Sequence, residues 1–313
     1  MPSLARTELA ARRAAAKRRR RRRAVGGAIA VVAVAVGAGV AIAESGGSGG
    51  TKPHSVGPVS QAPRPPARAN AGVSSSLAAT DAAGRAEIAR LAQLGLPIYC
   101  GGTRGNEVAF TFDDGPGVYT HFALKKLTQA GERATFFVVG KSMDAWPGWL
   151  PKELKVATIG DHSYHHPLLT ALSPDEIRSE LQLTKQKIER DSGQPVDLFR
   201  PPYGGTNATV EGIAKSLGML EIMWTMDSRD SLGADWNGII QNLEAALRPG
   251  AILLMHENRG QTIRALTTLL PELKRRHLRS VSLPELFATD PPTVAQVRRG
   301  TKGCGITSLG SGG

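Results

Sequence analysis

An apolar strand runs into a pair of acids in Glu107-Val108-Ala109-Phe110-Thr111-Phe112-Asp113-Asp114-Gly115-Pro116. Val108, Phe110 and Phe112 alternate with smaller or polar residues, the two-residue period of a strand with one face on a core. Neighbouring strand residues point to opposite faces, so Asp113 and Asp114 can serve one site only where the strand breaks. Gly115-Pro116 supplies such a break. Asp-Gly is also an ordinary turn signal, so the pair marks a site only if other groups converge on it.

Outward from this stretch the chain alternates strand-like and helix-like segments. Strands are expected over 107–112, 134–139, 154–159, 221–225, 251–255 and 279–282, with helices over 120–130, 208–217, 236–247 and 263–276. Ser173-Pro174-Asp175-Glu176 predicts a helix start with Ser173 as N-cap, Pro174 in the first turn and Glu176 completing a capping box. That helix should end at Gly193. Upstream, Ile88, Leu91 and Leu94 recur at helical spacing and predict a short helix over 81–94. Strands and helices in alternation favour a parallel sheet, open or closed into a barrel.

The formal charge of +12 is concentrated at one end. Residues 1–23 hold ten Lys and Arg, Arg6, Arg12, Arg13, Lys17 and Arg18 to Arg23, against Glu8, leaving only +3 for the remainder. No nucleic-acid partner is therefore expected, because a polybasic run beside an apolar segment reads first as a membrane flank. Residues 24–43 form that segment, twenty residues without a charge, enough to span a bilayer as a helix. Flanking arginines stay cytoplasmic, which places everything after residue 43 outside. The same segment could be a signal peptide cleaved after Ala43, since Ala41-Ile42-Ala43 resembles a small-residue cleavage site. Residues 44–80 are rich in Gly, Ser and Pro and read as a flexible linker. The expected layout is thus a basic N-terminus (1–23), an anchor or signal segment (24–43), a linker (44–80), a catalytic domain (81–290) and a tail (291–313). In an oxidising compartment Cys100 and Cys304 either form a disulfide, worth at most about 5 kcal/mol across so long a loop, or stay as two free thiols.

Five polar clusters fall at or just beyond the C-terminal ends of the expected strands, where parallel α/β folds place their sites. In His162-Ser163-Tyr164-His165-His166-Pro167 two imidazoles stand four residues apart, so one helical turn would set them on one side. With Asp114 they offer two nitrogens and one oxygen, a set suited to zinc or another borderline divalent metal such as Co2+ or Ni2+. His165 is the spare.

Thr-Phe-Asp-Asp-Gly-Pro, then His-Ser-Tyr-His-His-Pro, then Arg200-Pro201-Pro202-Tyr203, and last Leu254-Met255-His256, resemble in this order the polysaccharide deacetylase family, the NodB-homology carbohydrate esterases. The resemblance covers about residues 107–286. It implies a distorted (β/α) barrel of the NodB-homology type and metal-dependent removal of N-acetyl or O-acetyl groups from a polysaccharide. It further implies Asp114, His162 and His166 as metal ligands, Asp113 as general base, and Arg200 as the partner that keeps Asp113 ionised and aimed. The backbone N–H of Tyr203 matches the oxyanion donor, Leu254 the lining of the acetyl pocket, and His256 the acid that protonates the departing amine. Asp230 of Asp227-Ser228-Arg229-Asp230 matches the carboxylate that raises the pKa of His256, with Asp227 as its competitor. Two departures stand out: Ser231 where the family often has Trp, leaving Trp224 or Trp236 as substitutes, and 157–161 in place of a Gly-rich approach to His162.

An extracytoplasmic domain on a tether points to polymers of N-acetylglucosamine, peptidoglycan or chitooligosaccharide, as substrate. The alternatives are an O-acetyl esterase of the acetylxylan type, a non-catalytic carbohydrate-binding relative, and a basic membrane adaptor. No oligomerisation signal is visible, so a monomer is expected.

Overall fold

Among the described residues eight strands carry the architecture: β1 (Glu107–Gly115), β2 (Ala134–Val138), β3 (Ala157–Asp161), β4 (Leu198–Phe199), β5 (Leu220–Glu221), β6 (Met226–Asp227), β7 (Ile252–His256) and β8 (Arg279–Ser280). This computed structural model describes residues 70–305, with side chains from residue 79. The segments expected at 1–23 and 24–43, and 44–69 of the expected linker, lie outside the described residues. Among the described residues no helix is long and apolar enough to cross a membrane.

β1 is central. It pairs in parallel with β2 on one side and β7 on the other, and its first two residues pair with β8. The full order is β5-β4-β3-β2-β1-β7-β6, with every pairing parallel. β5 and β6 stand at opposite ends of this order, yet only residues 222–225 separate them in sequence. Five peptide steps reach about 17 Å at full extension, so the two ends of the sheet must approach and the sheet must curl. The expected distorted barrel is therefore found as a curled parallel sheet whose end strands do not pair with each other. A strand running through 221–225 is corrected by the same geometry, since the chain there leaves β4 and crosses to β7. The preceding segment fills the gap: Ile98 N–H donates to Glu221 O (2.9 Å), Met223 N–H donates to Ile98 O (2.7 Å), and Cys100 bridges Ala251.

Two apolar layers result from the alternation along the strands. Val108, Phe110, Phe112, Phe136, Leu253 and Met255 face outwards to the surrounding helices. Ala109, Phe137, Leu198 and Ile252 belong to a second cluster, closed by Ile88 and Leu91 of the helix Asn70–Ala92 and by Leu283, Leu286 and Phe287 of the helix Leu283–Thr289. Gly84 lets these two helices meet, because a Cβ there would lie 2.1 Å from Pro284 O. The first helix begins at Asn70, inside the expected linker and well before residue 81.

Local signals set most other boundaries. The helix Pro174–Ser192 has both arms of the Ser173–Glu176 capping box and stops at Gly193, whose φ of 68° favours glycine. β3 begins at Ala157 rather than 154, because Pro151 opens a short helix, Leu150–Glu153, that uses up the preceding residues. Cys100 and Cys304 form a disulfide that ties the C-terminal segment Gly300–Cys304 beside the start of the sheet.

Candidate active site

Asp113 lies on the inward face of β1 with Thr111, opposite the outward Phe112, and is 3 % exposed. Asp114 would point outwards were β1 regular. Its backbone instead turns to φ 74°, and the register with β2 shifts between Asp113 and Gly115. The break thus comes at Asp114 itself, one residue before the expected Gly115-Pro116 turn, and both carboxylates reach the same end of the sheet. Aspartate tolerates this left-handed conformation better than most residues.

The two imidazoles also meet, though not through a helical turn. Residues 162–166 are irregular, with φ of 61° at Ser163 and 59° at His166. Ser163 N–H donates to Asp161 Oδ1 (2.7 Å) and His166 N–H to Ser163 Oγ (3.1 Å), which folds the loop until the ring centroids are 4.9 Å apart.

One ligand atom from each of Asp114, His162 and His166 lies within 4.8 Å of the others. The Nε2 atoms of His166 and His162 are 3.2 and 3.7 Å from Asp114 Oδ1. Nδ1 of His162 sits 2.7 Å from Arg200 O; a carbonyl only accepts, so Nδ1 carries the proton and Nε2 presents a lone pair. Asp114 Oδ1 is buried without a hydrogen bond of good geometry, while Oδ2 accepts from Asn258 Nδ2 (3.2 Å). Lone pairs converging on a buried, unsatisfied oxygen are what a divalent cation requires, and the donor set suits zinc, cobalt or nickel. Burial alone pushes the Asp114 carboxyl up, but contact with His166 and the charges of His162 and His256 outweigh it and hold it well below the usual carboxylate range. Burial lowers the pKa of His162 despite the opposing pull of Asp113 and Asp114, favouring the neutral ring that a ligand must be.

Arg200 is fully buried and uses its guanidinium in four directions. Nη1 donates to Asp113 Oδ1 and to Thr111 Oγ1, both at 2.8 Å, and Nε and Nη2 donate to the carbonyls of Ile222 and Met223, both at 3.1 Å. Asp113 Oδ2 is left facing His162 Nε2 at 3.6 Å.

From β7, His256 shares the inward face with Leu254, since Leu253 and Met255 are in the outer layer. Its Nδ1 donates to Asp230 Oδ1 (2.6 Å) and its backbone N–H to Asp230 Oδ2 (2.8 Å), where Thr262 Oγ1 donates as well. Burial by itself would lower the His256 pKa, yet the Asp230 hydrogen bond and charge, with Asp113 and Asp114 beyond, raise it to about 9. Asp227 instead accepts from Arg229 N–H (2.7 Å) in a local turn, so Asp230 is the partner.

Tyr203 stands on the turn Pro202–Gly204 at φ 61°, its ring edge-on to that of His166 with the centroids 4.6 Å apart. His165 points elsewhere, bonding Glu180 at 2.8 Å. Of the proposed tryptophan substitutes, Trp236 carries the Arg264 guanidinium on its ring (4.2 Å), and Trp224 packs beneath Gly204, where a Cβ would meet its ring at 2.7 Å. Thr111, quoted above only as part of its motif, is given no role by the sequence reading, and Asn258 and Thr262 escape it altogether. Asn258 sits in a polar turn just after a strand and could have been flagged; nothing local distinguishes Thr111 or Thr262.

The profile of the polysaccharide deacetylase family matches residues 101–222. A peptidoglycan-N-acetylglucosamine deacetylase of Bacillus cereus is 32 % identical over 189 residues, covering 58 % of this chain and 69 % of that protein. Among solved structures, a family 4 carbohydrate esterase from Streptomyces lividans in complex with acetate is 35 % identical (TM-score 0.54; 58 % of this chain, 92 % of that one). A family 4 pseudoenzyme from Bacillus anthracis is 33 % identical (TM-score 0.58; 61 % and 68 %). The curled parallel sheet, the acid pair on its central strand and these likenesses agree: the chain belongs to the polysaccharide deacetylase family, the NodB-homology carbohydrate esterases, and is an enzyme of the deacetylase class.

Proposed function

We propose that the chain is a metal-dependent N-deacetylase of an extracytoplasmic N-acetylglucosamine polymer, peptidoglycan or chitin-like. The observation that carries this is the convergence of Asp114, His162 and His166 beside the Arg200-bound carboxylate of Asp113. When bound there, a divalent cation would lower the pKa of water and polarise the acetyl carbonyl.

The chain's own groups divide the remaining work. Arg200 occupies Oδ1 of Asp113, leaving Oδ2 to take a proton from the attacking water. Water oxygen bonds to the acetyl carbon, and the backbone N–H of Tyr203 is the donor assigned to the oxyanion that develops. The C–N bond then breaks. His256 has committed Nδ1 to Asp230, so Nε2 is the atom that hands a proton to the leaving nitrogen. With its pKa raised to about 9, this imidazole is protonated at neutral pH, as an acid must be. The products are acetate and a free amine. Leu254, inward on β7 two residues before His256, would line the methyl pocket.

The likeness to a peptidoglycan-N-acetylglucosamine deacetylase of Bacillus cereus supports peptidoglycan as substrate. The apolar segment 24–43 supports an exported location, anchored or released after Ala43, and the domain is assigned as a monomer. A bond easier to hydrolyse, such as the O-acetyl ester of acetylxylan, would suit the same groups. The pseudoenzyme relative shows that the family includes silent members; here Asp113, Arg200, His256 and Asp230 are all present, bonded as the pairs Arg200–Asp113 and His256–Asp230, which favours catalysis. Acetate release from peptidoglycan, chitooligosaccharide and acetylxylan, before and after chelation and after return of zinc, cobalt or nickel, tests the proposal. Activity on acetylxylan alone, or activity indifferent to exhaustive chelation, would refute it.

A further inference from the structure

Beyond His256, at the end of β7, stand two polar residues to which the chemistry assigns no work: Glu257, fully buried, and Asn258, partly buried. Both reach back to Asp114. Glu257 holds the chain on either side of it. Its backbone N–H donates to Asp113 O (3.3 Å), and its carboxyl fills the place of a side chain at Gly115, where a Cβ would fall on Oε1. The φ of Gly115 is not positive, so glycine stands there for the space it leaves rather than for its own backbone. The carboxyl is itself fastened: Thr120 Oγ1 donates to Oε2 and accepts from Gly117 N–H (2.7 Å). Residues 113, 115 and 117 are thus tied to one residue, and Asp114, at φ 74°, lies between the first two. A non-glycine residue keeps a left-handed backbone when its surroundings over-determine it.

Asn258 acts on the carboxylate instead. Its Nδ2 donates to Asp114 Oδ2 (3.2 Å). A reversed amide would set its carbonyl oxygen against a carboxylate oxygen, acceptor to acceptor, so the N–H end is the one that meets Asp114. With Oδ2 taken, Oδ1 is the oxygen left without a hydrogen bond of good geometry, and it is the one nearest the Nε2 atoms of His166 and His162. The turn held by Glu257 also carries Asn258, because a Cβ on Gly117 would lie in ordinary contact with the Cβ of Asn258, at 3.6 Å.

We infer that Glu257 and Asn258 are positioning residues for Asp114: Glu257 fixes the backbone turn that brings this carboxylate to the two imidazoles, and Asn258 fixes its rotation so that Oδ1 is the ligand oxygen. The inference rests on the metal-dependent reading and names what organises that site before a cation arrives. Removing a partner that orients a metal ligand typically weakens metal binding by about 10–100-fold. Burial and the neighbouring Glu153, itself fully buried, push the Glu257 carboxyl towards the neutral acid. Glutamine, which keeps the shape and an acceptor for Thr120, should therefore serve in its place, whereas alanine should not.

The test measures zinc affinity, by competition with a chromophoric chelator, and the melting temperature of the metal-free protein for the parent, Asn258→Ala, Glu257→Ala and Glu257→Gln. Asn258→Ala is expected to bind zinc roughly tenfold more weakly with the metal-free melting temperature of the parent, and Glu257→Ala to bind it at least about tenfold more weakly, with parental affinity restored in Glu257→Gln. A role in stability alone would lower the melting temperature and leave the zinc affinity of the folded protein unchanged, and that result would overturn the inference. Parental affinity in Asn258→Ala would overturn it too, which keeps the test decisive should Glu257→Ala not fold. A parent that binds no zinc would bring down the metal-dependent reading and this inference together, whereas equal binding by parent and variants strikes the inference alone.

Discussion

Replacing Asp230 by Asn keeps the shape of the side chain and an acceptor for His256 Nδ1 but deletes the charge. The carboxylate supplies the hydrogen bond and the nearest negative charge that lift the His256 pKa from its ordinary 6.5 to about 9 against the cost of burial. Without it the pKa should return towards 6.5. A general acid works only in its protonated fraction. At pH 8 that fraction is about 0.9 for a pKa of 9 and about 0.03 for a pKa of 6.5, so kcat/KM should fall about 30-fold. At pH 6 the two fractions are roughly 1.0 and 0.8, and the loss should nearly vanish. A bound divalent cation would lower both pKa values together, moving the two profiles along the pH axis while preserving the gap between them. The assay is the pH profile of acetate release for parent and variant, with metal content matched. A loss of equal size at every pH would refute the reasoning, because it would assign Asp230 to holding the ring in place rather than to keeping it protonated. Stability offers a second reading of the same shift. The folded pKa exceeds the unfolded one, so the stabilisation is complete below pH 6.5 and is lost as pH rises through about 9. Two and a half pKa units correspond to about 3 kcal/mol, so the stability gap between parent and Asp230→Asn should be widest in mild acid and should close above pH 9.

Other perturbations separate the remaining roles. His162→Ala should lower zinc retention on dialysis at least about tenfold while leaving the circular dichroism spectrum unchanged; retained zinc would contradict the ligand set. Arg200→Met strands a buried carboxylate and two backbone carbonyls, and should cost about 3–5 kcal/mol in urea unfolding along with the activity; a well-folded, stable variant would show that Asp113 finds another partner. Cys304→Ser opens a loop closed across 204 residues and should lower stability by about 2–5 kcal/mol, measured by guanidinium unfolding under matched conditions, with acetate release preserved in the folded protein.

How far the sequence could carry such expectations depended on whether the controlling physics was local. The alternation of Val108, Phe110 and Phe112 reported the outer face of β1 because strand geometry fixes it residue by residue. Ser173, Glu176 and Gly193 marked both ends of a helix because caps act within one turn. The positive φ of Asp114, Ser163 and His166 left no such trace, since these are non-glycine residues held by groups distant in sequence or by a loop's own side chains. The two imidazoles therefore come together by a route other than the helical turn that their spacing suggests. The split of 221–225 into two strand ends was equally hidden, because it is imposed by which neighbours remain unpaired once the sheet has curled.

That curl explains why Arg200 belongs to the fold as much as to the site. The two end strands do not pair, so the carbonyls of Ile222 and Met223, in the segment that joins them, need donors from elsewhere. Arg200 supplies them through Nε and Nη2, while Nη1 of the same planar group reaches Asp113 and Thr111 on the central strand. Its guanidinium also lies 4.3 Å from the Phe137 ring, on the inner face of β2. A buried cation is costly unless every donor is met, and here the chain crossing the sheet's open edge meets half of that need. Lysine could not do this, because a single ammonium has no rigid fork to reach across the interior in several fixed directions. The carboxylate assigned to proton transfer is thus aimed by the same group that fastens the crossing segment, and a displacement of Ile222 or Met223 would be felt directly at Asp113. Ile98, which exchanges backbone hydrogen bonds with Glu221 and Met223, extends that dependence to the segment ahead of β1, two residues from the disulfide at Cys100.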